Sequence, residues 1–319
     1  MPNHDATPLD VIIVGAGPAG LCAAMYAGRG MLRALLLERG APGGELLNTE
    51  LIEDYPGFLS VKGHELARLM AEHAVKFGAE LKTENVESIV RRDEDGLFEV
   101  VCTTGNVYTS HTVILTAGGT PTKLGIPGEA EYAGRGVSYC AVCDGAFFKG
   151  ETIAVAGGGD AAVEEADYLT RYGAKVYLIH RRDELRASKI LQERLFANPK
   201  IEVIWDTVVR EVKGGPAGVT SLDLEHLPTG ERRDLAVTGF FVFIGFTPNS
   251  GLVKQHIAHD PSGYIITDDR MMTSLPGLFA AGDLRVQLTR QVTTAVGDAT
   301  TAAIAVEKFL AERRSRVGV

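Results

Sequence analysis

The amino-acid sequence predicts an α/β protein with two similar units, because a pattern of strand, glycine-rich turn, helix and strand occurs twice. Short apolar runs precede both turns, as is typical of buried parallel strands. The spacing also agrees: as many residues separate Gly15 from Glu38 as separate Gly157 from His180. In each case the interval runs from the first glycine to the end of the closing strand. Such agreement indicates one design used twice.

The first copy has a strand at residues 11–14 that leads into the glycine-rich turn of residues 15–20. In such a turn the first glycine permits a tight bend, the second lets a pyrophosphate approach the backbone, and the third lets helix and strand pack closely. Glu38 ends the next strand, where an acidic residue accepts hydrogen bonds from an adenosine ribose. An ordinary turn is the alternative, but the flanking strands and Glu38 favour a nucleotide site. The candidate binding residues are Gly15, Gly17, Pro18, Ala19, Gly20 and Glu38.

The second copy closes its turn with Ala162 in place of the third glycine, which the pattern tolerates. Its closing strand ends on His180 and is followed by arginines instead of an acid. A carboxylate would repel a 2′-phosphate, whereas arginine binds it through charge-assisted hydrogen bonds. This copy therefore favours NADP(H) and the first copy a dinucleotide with a free ribose, although an arginine run can also be plain solvated surface. The candidate residues are Gly157, Gly159, Asp160, Ala161, Arg181, Arg182 and Arg186.

Two cysteines separated by two residues, Cys140 and Cys143, lie shortly before the second glycine-rich turn. Such a pair can close a compact, reducible disulfide, and a helix that opened at the pair would stabilise a thiolate. Asp144 is adjacent and could transfer a proton to a leaving thiolate. A zinc half-site would need further ligands, but Cys22 and Cys102 stand alone and are typical of core packing. We predict a redox-active disulfide and no metal; an inert buried pair is the alternative.

Composition excludes several classes of protein. The chain has 319 residues, ample for two domains, and its formal net charge of −9 argues against nucleic acid as a partner. No apolar run approaches the roughly 20 residues that span a membrane, and the first eight residues lack the apolar core of a signal peptide. Four cysteines do not make a disulfide framework. We therefore predict a cytoplasmic protein with neither a nucleic-acid nor a membrane partner.

Further motifs accompany the glycine turns, the cysteine pair and the arginines. They are Gly43-Gly44, the Phe-Ala-Ala-Gly-Asp stretch of residues 279–283, and Arg290-Gln291. Together the motifs cover nearly the whole sequence, and they resemble those of the low-molecular-weight (bacterial-type) thioredoxin reductases, class II pyridine nucleotide-disulfide oxidoreductases. Hydrolase triads, P-loops and zinc-protease motifs have no counterpart in the sequence.

The resemblance implies two Rossmann-like three-layer domains: a discontinuous FAD domain at residues 1–119 and 249–319, and an inserted NADPH domain at residues 120–248 that carries the cysteine pair. It also implies a homodimer. Hydride would pass from NADPH to FAD, then to the Cys140–Cys143 disulfide, and dithiol–disulfide exchange would reduce thioredoxin. Cys143 would face the flavin, Cys140 would attack the partner disulfide, and Asp144 would act as the acid. The further FAD contacts implied are Arg39, Gly43, Gly44, Glu45, Asp54, Gly282, Asp283, Arg290, Gln291 and Val292.

The sequence departs from the family pattern at three places. Glu45 and Asp54 stand where amides often contact FAD, and the usual Ala-Thr-Gly strand end is replaced at residues 116–118. Because nicotinamide and disulfide would share one domain, we expect them to reach the flavin in turn, by rotation of that domain about connections near Gly119 and Pro248.

Other functions on the same scaffold are a dithiol oxidase and a reductase of another thioredoxin-like protein. The arginines count against the oxidase, which needs no NADPH. A peroxiredoxin-system reductase would need an extra N-terminal redox domain, for which a first strand near residue 10 leaves no room. A flavin-free nucleotide sensor would leave the cysteine pair without a role.

Overall fold

The computed structural model describes residues 7–49, 51–253 and 255–317. The strands are β1 (Leu9–Val14), β2 (Ala34–Glu38), β3 (Leu51–Ile52), β4 (Val61–Lys62), β5 (Glu80–Thr83), β6 (Val86–Arg91), β7 (Phe98–Cys102), β8 (Val107–Leu115), β9 (Gly119–Pro121), β10 (Val137–Ser138), β11 (Thr152–Gly157), β12 (Lys175–Ile179), β13 (Ile201–Ile204), β14 (Thr207–Gly215), β15 (Gly218–His226), β16 (Glu231–Ala236), β17 (Gly239–Phe243), β18 (Phe246–Pro248) and β19 (Leu278–Ala280). The helices are α1 (Pro18–Arg29), α2 (Gly63–Lys76), α3 (Ala141–Asp144), α4 (Asp160–Leu169), α5 (Lys189–Ala197) and α6 (Val292–Val317), with 3-10 helices at Gly44–Asn48, Gly145–Phe148 and Ser250–Leu252.

The chain divides into two compact units, one formed by Met1–Thr120 with Thr247–Val319 and the other by Pro121–Phe246. The first unit is built on a sheet in the order β5-β2-β1-β8-β7-β6, and β19 pairs with β8. β1 is parallel to both of its neighbours, β2 and β8, and β19 is parallel to β8. The loop after β1 therefore leaves the sheet between two parallel neighbours, where α/β sheets bind ligands.

Small residues explain how the helices of the first unit pack. α1 and α6 contact each other through buried alanines, including Ala23 and Ala24 on α1 and Ala299 and Ala302 on α6, so the two backbones approach closely. The other face of the sheet is covered by a separate apolar cluster centred on Phe98. Both faces of β1 are thus buried, which accounts for its unbroken apolar run.

The second unit has a fully parallel sheet in the order β10-β17-β11-β12-β13. Helices α4 and α5 pack on one face, and the core beneath the other face includes residues of the antiparallel sheet β14-β15-β16. The three layers confirm the α/β fold class predicted from the two glycine-rich patterns. None of the helices in the described residues is long and apolar enough to cross a membrane.

Candidate active site

The first glycine turn contains two glycines that the protein's own packing requires. Gly15 has a φ of +102°, and a Cβ there would lie 2.6 Å from the Thr116 carbonyl oxygen at the end of β8. A Cβ on Gly20 would lie 1.8 Å from the Gly15 carbonyl oxygen. At Gly17, by contrast, a Cβ would meet no atom closer than Cα of Gly44, 3.9 Å away. Gly17 thus keeps open the backbone that leads into α1, where a pyrophosphate can approach.

The second turn repeats this division. A Cβ on Gly157 would lie 2.4 Å from the Phe243 carbonyl oxygen at the end of β17, and one on Gly158 would lie 2.2 Å from the His180 ring. A Cβ on Gly159, which caps the N-terminus of α4, would meet nothing within 4 Å. The second unit therefore also holds an open backbone surface at a helix N-terminus.

Glu38, the last residue of β2, and His180, which directly follows β12, both form hydrogen bonds with their own glycine turn. Glu38 Oε2 accepts a hydrogen bond from the Ala16 amide at 2.6 Å, and Oε1 accepts one from the Gly40 amide at 3.1 Å. His180 Nδ1 lies 2.8 Å from the Gly157 carbonyl oxygen, so Nδ1 carries the proton and donates. The first turn is therefore held through an acceptor and the second through a donor.

The arginines predicted to bind the 2′-phosphate have exposed side chains, and among the described residues none of their guanidinium groups has an ion-pair partner: Arg181, Arg182 and Arg186. The backbone after β12 folds over the second turn, where the Arg186 amide donates to the Gly158 carbonyl at 2.7 Å. Asp160 secures this arrangement by accepting a 2.6 Å hydrogen bond from the Ser188 amide. Ala161 follows in the first turn of α4 and is exposed.

A second glycine pair lies against the first turn. The Gly43 amide donates to the Ala16 carbonyl at 2.7 Å, and a Cβ on Gly44 would lie 3.0 Å from Cα of Gly17. Both glycines have positive φ, 140° at Gly43 and 55° at Gly44. Side chains at either position would push this loop away from Gly17. The pair therefore forms one wall of the space beside Gly17 and the N-terminus of α1, which we call the first cradle.

Glu45 follows this pair as the second residue of the Gly44–Asn48 3-10 helix. Solvent reaches its carboxyl, yet the surrounding protein atoms raise its pKa, while the Asn48 side chain, 3.1 Å away, and the charge of Arg39 act in the opposite direction. The positive charge of Arg39 therefore acts on the Glu45 carboxyl in the first cradle. The Asp54 side chain is exposed and makes no hydrogen bond or ion pair with the described residues, so the structure does not connect it to the others.

The C-terminal part of the chain supplies another wall. Gly282 has a φ of +83°, and a Cβ there would lie 3.0 Å from the Ala19 methyl group in α1. Its amide donates to Asp298 Oδ2 at 3.2 Å, and Asp298 also pairs with Arg285 at 3.2 Å, with both side chains largely buried. This pair fixes the loop after β19 against α6.

Asp283 is the most perturbed carboxyl of the cradle. Burial raises its pKa from 3.8 to about 6; Arg290 opposes this rise, and the charges of Glu45 and Asp298 add to it. The first cradle therefore holds two carboxyls, Glu45 and Asp283, whose charges repel each other.

The segment before α6 brings Arg290 to Asp283. Arg290 Nε donates to the Asp283 carbonyl oxygen at 3.4 Å, and its guanidinium carbon lies 4.0 Å from the centre of the Tyr264 ring. The Gln291 carbonyl accepts a hydrogen bond from the Ala295 amide in the first turn of α6, and Val292 is the first residue of that helix. Both are thus placed at a helix N-terminus.

The cysteine pair forms a disulfide in the second unit. Cys140 caps the N-terminus of α3, and its Sγ accepts a hydrogen bond from the Cys143 amide at 3.2 Å. The Ser138 hydroxyl, at the end of β10, accepts a hydrogen bond from the Cys140 amide at 3.1 Å and donates one to the Cys140 carbonyl at 3.2 Å. Cys143 is exposed, Cys140 is half-buried, and the Asp144 amide donates to the Cys140 carbonyl at 3.2 Å.

The other two cysteines are free and buried. Burial raises the pKa of the Cys102 thiol to about 11 and also raises that of Cys22, so both are unreactive core residues. No cluster of His, Cys, Asp or Glu within the described residues is arranged to hold a metal ion.

Sequence reasoning missed several residues near the predicted sites. Phe147 is 81% exposed in the 3-10 helix that directly follows α3. Buried Glu129 accepts hydrogen bonds from the Tyr139 hydroxyl at 2.8 Å and from two backbone amides, which anchors the residue before Cys140. The two consecutive phenylalanines after the cysteine motif were a usable signal for Phe147. No sequence signal indicated the contacts of Tyr139 and Tyr264, because their partners are distant in sequence.

Comparison with known proteins decides the family. The family model described as pyridine nucleotide-disulphide oxidoreductase matches residues 9–299. The chain belongs to this family. Within it, the oxidoreductase is 47% identical over 303 residues to the thioredoxin reductase of Bacillus subtilis, covering 95% of each protein.

Solved structures agree with this assignment. The oxidoreductase superposes on the crystal structure of Lactococcus lactis thioredoxin reductase with a TM-score of 0.92 and 46% identity, over 95% of this chain and 99% of that one. The thioredoxin reductase of T. acidophilum gives a TM-score of 0.90 at 34% identity, with 95% and 99% coverage. Membership implies use of a flavin and a nicotinamide cofactor. The backbone at these two turns leaves room for such cofactors, because a Cβ on Gly17 would meet only Cα of Gly44, 3.9 Å away, and one on Gly159 would meet no described atom within 4 Å.

Proposed function

We propose that this oxidoreductase is an NADPH-dependent thioredoxin-disulfide reductase that contains FAD. The observation that carries the proposal is the disulfide in the same unit as a glycine turn whose neighbouring arginines have no ion-pair partner among the described residues. Relatives named thioredoxin reductase along almost the full chain support it. A dithiol oxidase or a reductase of another thioredoxin-like protein would use the same scaffold and is distinguished by the experiment below.

The cofactor assignment follows from the two strand ends. Glu38 in the first unit would repel a 2′-phosphate but can accept ribose hydroxyls, which suits FAD. Exposed Arg181, Arg182 and Arg186 in the second unit suit the 2′-phosphate of NADPH. We accordingly assign residues 1–119 and 249–319 to FAD and residues 120–248 to NADPH.

The chain's own residues account for the thiol chemistry. A bound flavin would accept hydride from the nicotinamide and would supply an electron pair to the disulfide. Reduction breaks the Sγ–Sγ bond; because the Cys143 amide already points at Cys140 Sγ, negative charge is favoured on Cys140. The Cys140 thiolate then attacks the thioredoxin disulfide and releases one thiolate, which Asp144 would protonate. Cys143 attacks the mixed disulfide, restores the Cys140–Cys143 bond and releases reduced thioredoxin.

Phe147, which is exposed in the 3-10 helix that follows the disulfide, is a candidate contact for a protein substrate, since aromatic side chains are enriched at protein interfaces. We also propose that the protein acts as a homodimer in the cytoplasm. Light scattering of the purified protein checks the first of these proposals, and fractionation of cells that express it checks the second.

The test of the function is anaerobic addition of NADPH to the purified protein, followed by oxidised thioredoxin, with flavin absorbance recorded throughout. We expect bleaching and then recovery. In Cys140→Ser we expect bleaching without recovery, and in the control Cys22→Ala both steps are retained. Failure of NADPH to bleach the flavin would remove NADPH as donor. Bleaching of the wild type without recovery would remove thioredoxin as acceptor.

A further inference from the structure

Tyr264 and Arg290 form an arrangement that the thiol chemistry does not use. The Arg290 guanidinium carbon lies 4.0 Å from the centre of the Tyr264 ring, within the range of a cation–π interaction. Nε of the same group donates to the Asp283 carbonyl oxygen at 3.4 Å. The arginine side chain is otherwise exposed, and an exposed arginine samples many rotamers. The ring and the carbonyl together select one position for its charge.

The tyrosine is itself fixed by backbone hydrogen bonds on both sides. The Tyr264 amide donates to Asp260 Oδ1 at 2.8 Å, and its carbonyl accepts from the Asp260 amide at 2.9 Å. The next residue, fully buried Ile265, donates to the Leu284 carbonyl and accepts from the Val286 amide, both at 2.9 Å. The ring is thus attached to the same segment that carries Asp283.

The charge of Arg290 opposes the effect of neighbouring carboxyls on Asp283. Asp283 and Glu45 place two carboxyls in the cradle, and the charge of Arg290 acts on Asp283 against them. Asp298 also acts on Asp283, but it is paired with Arg285 at 3.2 Å. Among the groups acting on Asp283, Arg290 therefore supplies the opposing positive charge.

We propose that Tyr264 is a positioning residue that holds the charge of Arg290 beside Asp283, in the cradle assigned to FAD, and thereby raises the reduction potential of the bound flavin. The proposal rests on the assignment of FAD to this unit. Hydride transfer gives the flavin two electrons and one proton, so the reduced ring becomes negative. A cation held nearby stabilises the reduced ring more than the oxidised ring. Displacement of that cation favours the oxidised form.

The test is anaerobic equilibration of the bound flavin with a reference dye of known potential, in the wild type, Tyr264→Phe and Tyr264→Ala. Phenylalanine keeps the ring face, so we expect a wild-type equilibrium constant. Alanine removes it, and we expect the equilibrium to shift roughly two- to fivefold towards oxidised flavin, as for the loss of a partly exposed cation–π interaction. An equally large shift in Tyr264→Phe would overturn the proposal, because the ring would not be the cause.

A double-mutant cycle with Arg290→Gln keeps the proposal testable if Tyr264→Ala is poorly folded, since Arg290→Gln alone must shift the equilibrium in the same direction. In the Arg290→Gln background, Tyr264→Ala should add nothing. Additive shifts, or no shift in Arg290→Gln, would contradict the proposal. Protein that binds no FAD would instead refute the cofactor assignment itself, whereas FAD bound at one potential in all variants would refute only the positioning role.

Discussion

The two glycine turns of this protein show which parts of a dinucleotide cradle packing fixes and which parts are free to vary. In both units the first glycine faces a carbonyl at the end of a neighbouring strand, Thr116 in one and Phe243 in the other. No side chain fits there, so both turns require glycine at this position. The residue that ends the closing strand is not constrained in this way. It is an acceptor, Glu38, in the first unit and a donor, His180, in the second. Under the proposed function, the turn holds the phosphates and the residue at the strand end selects the nucleotide.

The largest effect is expected at the glycines that face open space. Gly17→Ala should weaken FAD binding, and Gly159→Ala should raise the KM for NADPH, each about 30- to 100-fold, because the methyl group occupies the space of the phosphates. The stability of the cofactor-free protein should not change, since the Gly17 methyl group would make only an ordinary contact with Cα of Gly44 at 3.9 Å and the Gly159 methyl group would meet nothing within 4 Å. Isothermal titration and steady-state kinetics measure these effects.

Gly251→Ala and Gly215→Ala are matched controls, one in each unit, because both glycines face open space away from the turns. Each control should bind both cofactors normally. A Gly17→Ala protein with normal FAD affinity would show that the first turn does not face the pyrophosphate.

The next largest effect is expected at the arginines that follow β12, because the first unit has the acidic Glu38 at the corresponding strand end. Arg182→Ala should raise the KM for NADPH about 10- to 50-fold through the loss of a charge-assisted hydrogen bond. The KM for NADH should be nearly unchanged, because NADH has no 2′-phosphate. Arg233→Ala, an exposed arginine on β16 of the same unit, is the control. Equal effects on both nucleotides would mean that the arginine does not read the 2′-phosphate.

A smaller effect is expected from Asp283, the carboxyl of the first cradle with the most perturbed pKa. The pKa of Asp283 rises from 3.8 to about 6 on folding, so the folded state binds more protons than the unfolded state between these pH values. Stability of the cofactor-free protein should therefore fall as the pH rises through this window. Asp283→Asn should be more stable than the wild type by on the order of 1–2 kcal/mol at pH 7, with no difference below pH 4. Urea unfolding at both pH values checks this, and an advantage at pH 4 alone would reverse the assigned direction.

The smallest effect is expected at Phe147, the exposed side chain that follows the disulfide in the second unit. Phe147→Ala should raise the KM for thioredoxin about two- to fivefold and leave the KM for NADPH unchanged, because a partly buried apolar contact is lost. Phe196→Ala removes another exposed phenylalanine of the same unit, 58% exposed on α5, and should have no effect. If both variants lower thioredoxin turnover equally, the docking surface is wider than the cysteine motif.

The sequence predicted the parts of the fold that depend on neighbouring residues. Glycine turns, apolar strands and the cysteine pair are local signals, so the positions of β1, β11 and α3 were foreseeable. The alanine-rich stretch of residues 293–310 is typical of a helix, but α6 continues to Val317. Its polar end is held by distant partners: Arg313 donates to the Asp95 carbonyl at 2.7 Å and Arg314 pairs with Asp10 at 3.0 Å.

The candidate site was predictable to the same extent. The residues of each turn could be named, whereas the hydrogen bonds of Glu38 and His180 to their turns could not. The pKa of Asp283 depends on Glu45, Arg290 and Asp298, which come together only when both ends of the first unit meet. Long-range electrostatics of this kind leaves no pattern in the order of the residues.

The divided first unit has a consequence for synthesis on the ribosome. The second unit is one continuous stretch, Pro121–Phe246, and all its strands have been made before the remaining part of the chain emerges. The first unit must wait, because β19 pairs with β8 and α6 packs on α1, and both late elements follow the second unit in the chain. Since domains fold as they emerge, the disulfide-bearing unit is complete first, and the nascent chain exposes the alanine-rich surface of α1 until the final helix arrives.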